Sequence, residues 1–80
     1  MLAKTKGIVL QHLKYGESSI IAHVFTEKSG RKSFLIKGIR TKRSRSKANL
    51  FQPLFILNFE FYSRENRDLN IVKEVSLASS

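Results

Sequence analysis

Between positions 37 and 47 the chain places six cationic side chains, Lys37, Arg40, Lys42, Arg43, Arg45 and Lys47, and no carboxylate. No Asp or Glu occurs anywhere from Lys28 to Phe59. Like charges crowded on one stretch repel each other until an anion neutralises them, and a polyphosphate backbone is the commonest such anion. The stretch has no apolar period and is broken by Gly38, Ser44 and Ser46, so it predicts a mobile surface loop. The plain alternative is a solvated loop with no ligand.

Other chemistry is poorly served. His12 and His23 fall on different predicted strands, with no Cys and no helical i, i+4 partner, so the ligand set of a metal site is missing. Ordinary rim or face side chains are the better reading of both. Ser18 and Ser19 lack the Gly-x-Ser-x-Gly setting of a nucleophile elbow, and no base is placed for them. Gly7, Gly16, Gly30 and Gly38 are too dispersed for a phosphate loop. Glu17 reads as a turn residue rather than an acid catalyst. The sequence therefore predicts no catalytic site, cofactor or metal.

The bulk numbers agree with an anion-binding role. In 80 residues, 15 Lys and Arg stand against 6 Asp and Glu, a formal charge of +9. Such a bias favours nucleic acid or an anionic surface over an acidic small substrate. The chain is long enough for one small domain, and six Phe make its core aromatic-rich. The absence of Cys rules out a disulfide framework and fits a reducing compartment. Apolar runs are too short to span a membrane, and residues 1–13 lack the apolar region of a signal peptide. A cytoplasmic location is expected.

Period-two alternation predicts five strands that would carry these residues. Residues 4–13 form the first, with Ile8, Leu10, Lys6 and His12 on one face and Val9 and Leu13 on the other. A turn over residues 14–18 uses Gly16 for a positive φ. Residues 19–26 form the second strand, with Ile20, Ala22 and Val24 together. A short Gly-containing connection leads to a third over residues 31–37, with Phe34 and Ile36 inward and Ser33, Leu35 and Lys37 outward. The basic stretch follows, with a weak helical signal over residues 46–51. Pro53, which cannot donate to a ladder, should stand at the entry of a fourth strand, residues 54–62. There Phe55, Leu57, Phe59 and Phe61 share one face; leaving each in water would forfeit about 1.5–3 kcal/mol, so that face must be core. Residues 68–76 form the fifth, carrying Leu69, Ile71 and Val75 together. Such strands, with a longer basic loop between the third and fourth, predict an all-β, five-stranded OB-fold barrel. Residues 77–80 carry no stop signal, so the expectation is an N-terminal OB domain, residues 1–80, of a longer protein.

Several groups resemble the N-terminal domain of the bacterial RecO family: Lys4-Thr-Lys-Gly-Ile-Val-Leu10, Lys14-Tyr-Gly-Glu-Ser-Ser19, Phe25-Thr-Glu27 with Gly30, Lys37-Gly38, Gln52-Pro-Leu54 and Arg64-Glu-Asn-Arg-Asp-Leu69. They cover nearly the whole chain in order. The resemblance implies an OB-fold that binds single- and double-stranded DNA in repair and recombination. It also implies strand annealing and loading of the recombinase onto DNA coated by single-strand-binding protein, in partnership with RecR. The helical C-terminal domain of complete members, often with a zinc site, is not represented here.

The expected DNA contacts are then the six loop cations together with residues flanking the face of the second and third strands. These are Lys14 and Tyr15 after the first strand, Arg31 and Lys32 opening the third, and Arg64 and Arg67 after the fourth. Lys6, with Lys4, borders the same side. Tyr15 is singled out as the exposed aromatic able to stack on a base, with packing over its own turn as the alternative. Cations without many stacking rings predict binding without sequence preference. A competing reading is a module that docks an acidic protein partner; another is an RNA-binding barrel of the translation apparatus, separable by a 2′-hydroxyl contact.

Overall fold

The computed structural model describes residues 1–38, 49–64 and 69–79. Five strands, β1 (Leu2–Tyr15), β2 (Ser19–Thr26), β3 (Gly30–Ile36), β4 (Ile56–Tyr62) and β5 (Leu69–Ser79), close a barrel in the order β1-β2-β3-β5-β4. All neighbours are antiparallel except β3 and β5, which run parallel. This is the five-stranded OB-fold architecture that the alternation predicts. The basic stretch expected between the third and fourth strands falls almost entirely outside the described residues.

Closure depends on β1 serving two partners. Its first half, Leu2 to Ile8, pairs with β4, and from Gly7 to Tyr15 it pairs with β2. Gly7 belongs to both ladders, and a Cβ there would run into the Val24 Cγ1 atom. The absence of a side chain at this position is what lets the Val24 side chain pack so close to the strand.

The core fills from alternating positions: Val9, Ile20, Ala22, Val24, Phe34, Ile36, Leu57, Phe59, Phe61 and Val75 are buried. Phe34 stacks on Phe59 at 4.5 Å and meets Phe61 edge-on at 5.0 Å. Offset and edge-on contacts of this kind add to the burial of the rings themselves. Phe51, in a single 3-10 turn η1 (Asn49–Phe51), is fully buried and plugs the barrel against Phe59. The expected helical turn is thus present over its last three residues; its first three lie outside the described residues. His12 Nδ1 donates to the Phe51 carbonyl oxygen over 2.7 Å, which ties that plug to β1.

Three bulges correct the expected faces. Leu10 is extra in β1, between the Val9–Val24 and Gln11–His23 pairs, so alternation restarts there. Consequently His12, not Leu13, follows the inward series of Val9. In β5, Lys73 is extra between the Phe61–Val72 and Glu60–Glu74 pairs, and Ala78 is extra near its end. Ile71 therefore faces outward while Val75 is core, and Val72 packs inward in its place. Leu35 does point away from the Phe34 side, but it is buried rather than exposed. β4 begins at Ile56, not at residue 54: Leu54 takes a φ of 74°, and its N–H donates to the Val9 carbonyl, turning the chain into the strand.

Candidate nucleic-acid interface

The turn after β1, the end of β3 and the end of β4 meet at one end of the barrel. Tyr15 pairs with Ser19, Lys14 with Ile20, and Ile20 with Ile36, so Lys14 and Tyr15 are the last residues of β1 rather than part of the turn expected after it, and Lys37 leaves β3 beside them. Gly16 has a φ of 64°, as the turn requires. Farther round, Ile71 lies between Leu35 of β3 and Tyr62 of β4, which brings Arg64 to the same end. Lys37, Tyr62, Arg64, Leu69 and Ile71 line a cleft of about 300 Å³ there. Lys37, Arg64, Lys14 and Tyr15 are all exposed. The cationic run starts at this end with Lys37, whereas Arg40, Lys42, Arg43, Arg45, Lys47 and Arg67 lie outside the described residues.

The remaining expected contacts sit elsewhere. Arg31 is exposed on β3 opposite Phe25, next to the β2–β3 turn. That turn is organised by the buried Thr26, whose hydroxyl donates to the Gly30 carbonyl over 2.7 Å and accepts from the Ser29 N–H over 3.0 Å. Lys32 pairs with the buried Val24, is itself half-buried and places its ammonium 5.9 Å from the centre of the Phe61 ring. At that distance the ammonium lies over the ring face, within reach of a cation–π attraction. Lys6 and Lys4 border a second cleft, of about 480 Å³, with Glu27, Lys28, Glu60 and Glu74.

Aromatic exposure goes beyond the single ring expected from sequence. Tyr15 is 51% exposed, and so, to similar degrees, are Phe25 at 53% and Tyr62 at 42%. The alternation of the strands placed Phe25 and Tyr62 on outward faces, which was the signal for both. Cross-strand register adds a feature that no local pattern shows. Leu13, Ile21, Leu35, Ile71, Tyr62 and Leu2 are successive partners across five strands, an apolar row on the outer surface. His23 Nδ1 and the Ser33 hydroxyl, 2.9 Å apart, sit on the same outer face of β2 and β3. Among the described residues no group of three His, Asp or Glu could hold a metal ion, and no helix is long and apolar enough to cross a membrane.

A closed five-stranded barrel in the order β1-β2-β3-β5-β4 defines an OB-fold domain. The comparison of sequences gives the family. The model of recombination protein O N-terminal domains matches residues 1–80, and the chain belongs to that family. It is 49% identical to the DNA repair protein RecO of Bacteroides fragilis over 74 residues, covering 92% of this chain and 31% of that protein. It is 39% identical over 80 residues to the RecO of Flavobacterium psychrophilum, covering 99% and 34%. With the RecO of Prosthecochloris aestuarii it shares 34% over 80 residues, covering 100% and 30%. The chain thus spans about a third of the length of these relatives.

Proposed function

We propose that this domain binds DNA, single- and double-stranded, without sequence preference, as the DNA-holding barrel of a recombination mediator in DNA repair. In the full-length setting it supports strand annealing and recombinase loading, alongside RecR and single-strand-binding protein. No catalytic step is assigned to it, and it uses no cofactor.

The observation that carries this reading is that Lys37, where the cationic run begins, leaves β3 beside the Lys14–Tyr15 end of β1 and lines a cleft together with Arg64. Phosphates contacted there would be positioned without their sequence being read. The test is fluorescence anisotropy of labelled oligonucleotides over a range of salt. If all six run cations meet phosphates of one strand, log K against log salt acquires a slope of about −4 from them. An affinity insensitive to salt would sink the reading.

A second reading is favoured by the apolar row running past the same cations. Contiguous apolar surface rimmed by charge also marks protein docking sites. On that reading an acidic segment of RecR or of a single-strand-binding protein is the ligand. An acidic peptide of equal charge that displaces single-stranded DNA mole for mole would favour it.

A further inference from the structure

The cleft at the β3–β5 seam has the construction of a base pocket. Its floor is Leu69 and Ile71, both half-buried on the outer face of β5, and one wall is the Tyr62 ring at the end of β4. Ile71 is held from both sides by its cross-strand partners Leu35 and Tyr62, and Tyr62 is backed in turn by Leu2. The apolar surface is therefore fixed in place before anything binds. Lys37 and Arg64 line it as well, and no carboxylate is among the described residues that do. A volume of about 300 Å³ is at the small end of ligand clefts, too small for a duplex to enter.

We infer that this cleft is a single-strand subsite: one unpaired base lies against the Tyr62 ring over Leu69 and Ile71, while Lys37 and Arg64 hold the phosphates on either side of it. This rests on the DNA-binding reading and assigns it a strand preference. The bases of a duplex are stacked and paired, so they offer no free face to Tyr62. Cations serve both forms, but the apolar floor serves only the unpaired one. Stacking on an aromatic ring is tolerant of base identity, because every base has a π-face. Phosphate contacts at both edges of an apolar slot fit a nucleotide better than they fit a wholly apolar ligand.

The chain has two tyrosines and no Trp, which supplies the test. In Tyr15→Phe the only remaining tyrosine is Tyr62, so intrinsic tyrosine fluorescence reports that ring alone. Titration with an oligothymidylate carrying a terminal dye follows binding by anisotropy and stacking by quenching in the same cuvette. Inorganic polyphosphate is the baseless control. The expected result is saturable quenching that tracks the anisotropy with oligothymidylate and is missing with polyphosphate. Tyr62→Ser should weaken single-strand binding roughly ten- to a hundredfold, with duplex binding changed less than about twofold, and Tyr62→Phe should restore the single-strand affinity. Circular dichroism of Tyr62→Ser, with the Tyr62→Phe rescue, separates lost stacking from lost fold. Oligothymidylate binding without Tyr62 quenching, or equal quenching by polyphosphate, overturns the subsite and leaves the DNA-binding reading standing. No change in anisotropy at low salt overturns both.

Discussion

The cleft along β1, β4 and β5 and the cleft at the β3–β5 seam are made by the same small barrel, yet their charges differ in kind. The first gathers Lys4, Lys6 and Lys28 together with Glu27, Glu60 and Glu74, three of the chain's six carboxylates. The second, among the described residues, has Lys37 and Arg64 on an apolar floor; Glu65 and Asp68, which adjoin Arg64 and Leu69 in the chain, lie outside the described residues. Cations balanced by carboxylates a few ångströms away present little net potential beyond a Debye length, whereas unbalanced ones attract a distant polyanion. A net charge of +9 is a property of the whole chain, and among the described residues the two clefts share in it unequally. The proposed phosphate contacts therefore rest more on Lys37 than on Lys6, whose cleft also holds Glu27, Glu60 and Glu74.

Both clefts depend on the barrel, so the largest expected effect abolishes the comparison altogether. Phe34 is fully buried, stacked on Phe59 and edge-on to Phe61. Phe34→Ala should cost about 3–5 kcal/mol of unfolding free energy, through lost transfer energy and the cavity left behind. Urea denaturation measures it. For a domain this small such a loss approaches its total stability, and both clefts would vanish together. A loss under about 1 kcal/mol would mean that the ring stack is not what holds the sheet closed.

Next comes the contrast itself. Replacing Lys37, Arg40, Lys42, Arg43, Arg45 and Lys47 with Gln or Ser should reduce the salt slope of single-strand binding by about 4 and leave the denaturation midpoint nearly unchanged. An unaltered slope would place the footprint elsewhere on the barrel. A smaller change comes from β1, where Gly7 is shared by the β2 and β4 ladders. Gly7→Ala forces a Cβ against Val24 and should destabilise by about 1–3 kcal/mol. Because Gly7 does not line the seam cleft, binding measured on the folded fraction should survive it.

Much of this was legible in the chain, and the parts that were not have identifiable causes. The alternation in β4, with Leu57, Phe59 and Phe61 on one face, led directly to the core and to an OB-fold barrel. The basic run needed only a count of charges. The bulges at Leu10 and Lys73 were invisible, because neither position carries the Gly that would have marked a break in alternation. They misplaced His12, Leu13 and Ile71, the last of which lines the seam cleft. Phe51 escaped because a single 3-10 turn has no period to read. The cleft at the seam is a matter of register: Leu35, Ile71 and Tyr62 are far apart in sequence and become neighbours only through the parallel β3–β5 pairing and its antiparallel continuation into β4. Lys32 alternates inward with Phe34 and Ile36, and its long stem lets the ammonium reach the Phe61 ring.

The smallest expected effect bears hardest on the comparison, since it asks whether lysines in the balanced cleft are silent. Lys4 stands directly opposite Glu60, and Glu60 opposite Glu74, in the antiparallel pairs of β1, β4 and β5. Two like charges facing each other across strands destabilise the sheet, and the ammonium beside them offsets this. Lys4→Gln should therefore cost about 0.2–1 kcal/mol of stability, seen as a modest shift of the urea midpoint. Its effect on DNA affinity should be under about threefold, and the salt slope should change by less than about 1, because no phosphate contact is lost. Lys6→Gln, opposite Asn58 rather than a carboxylate, tests the same idea without the Glu60 pair. If either substitution lowered the slope by a full unit, phosphates would be reaching the cleft despite its carboxylates. The two clefts would then be ends of one continuous track, with charge balance no guide to where the strand lies.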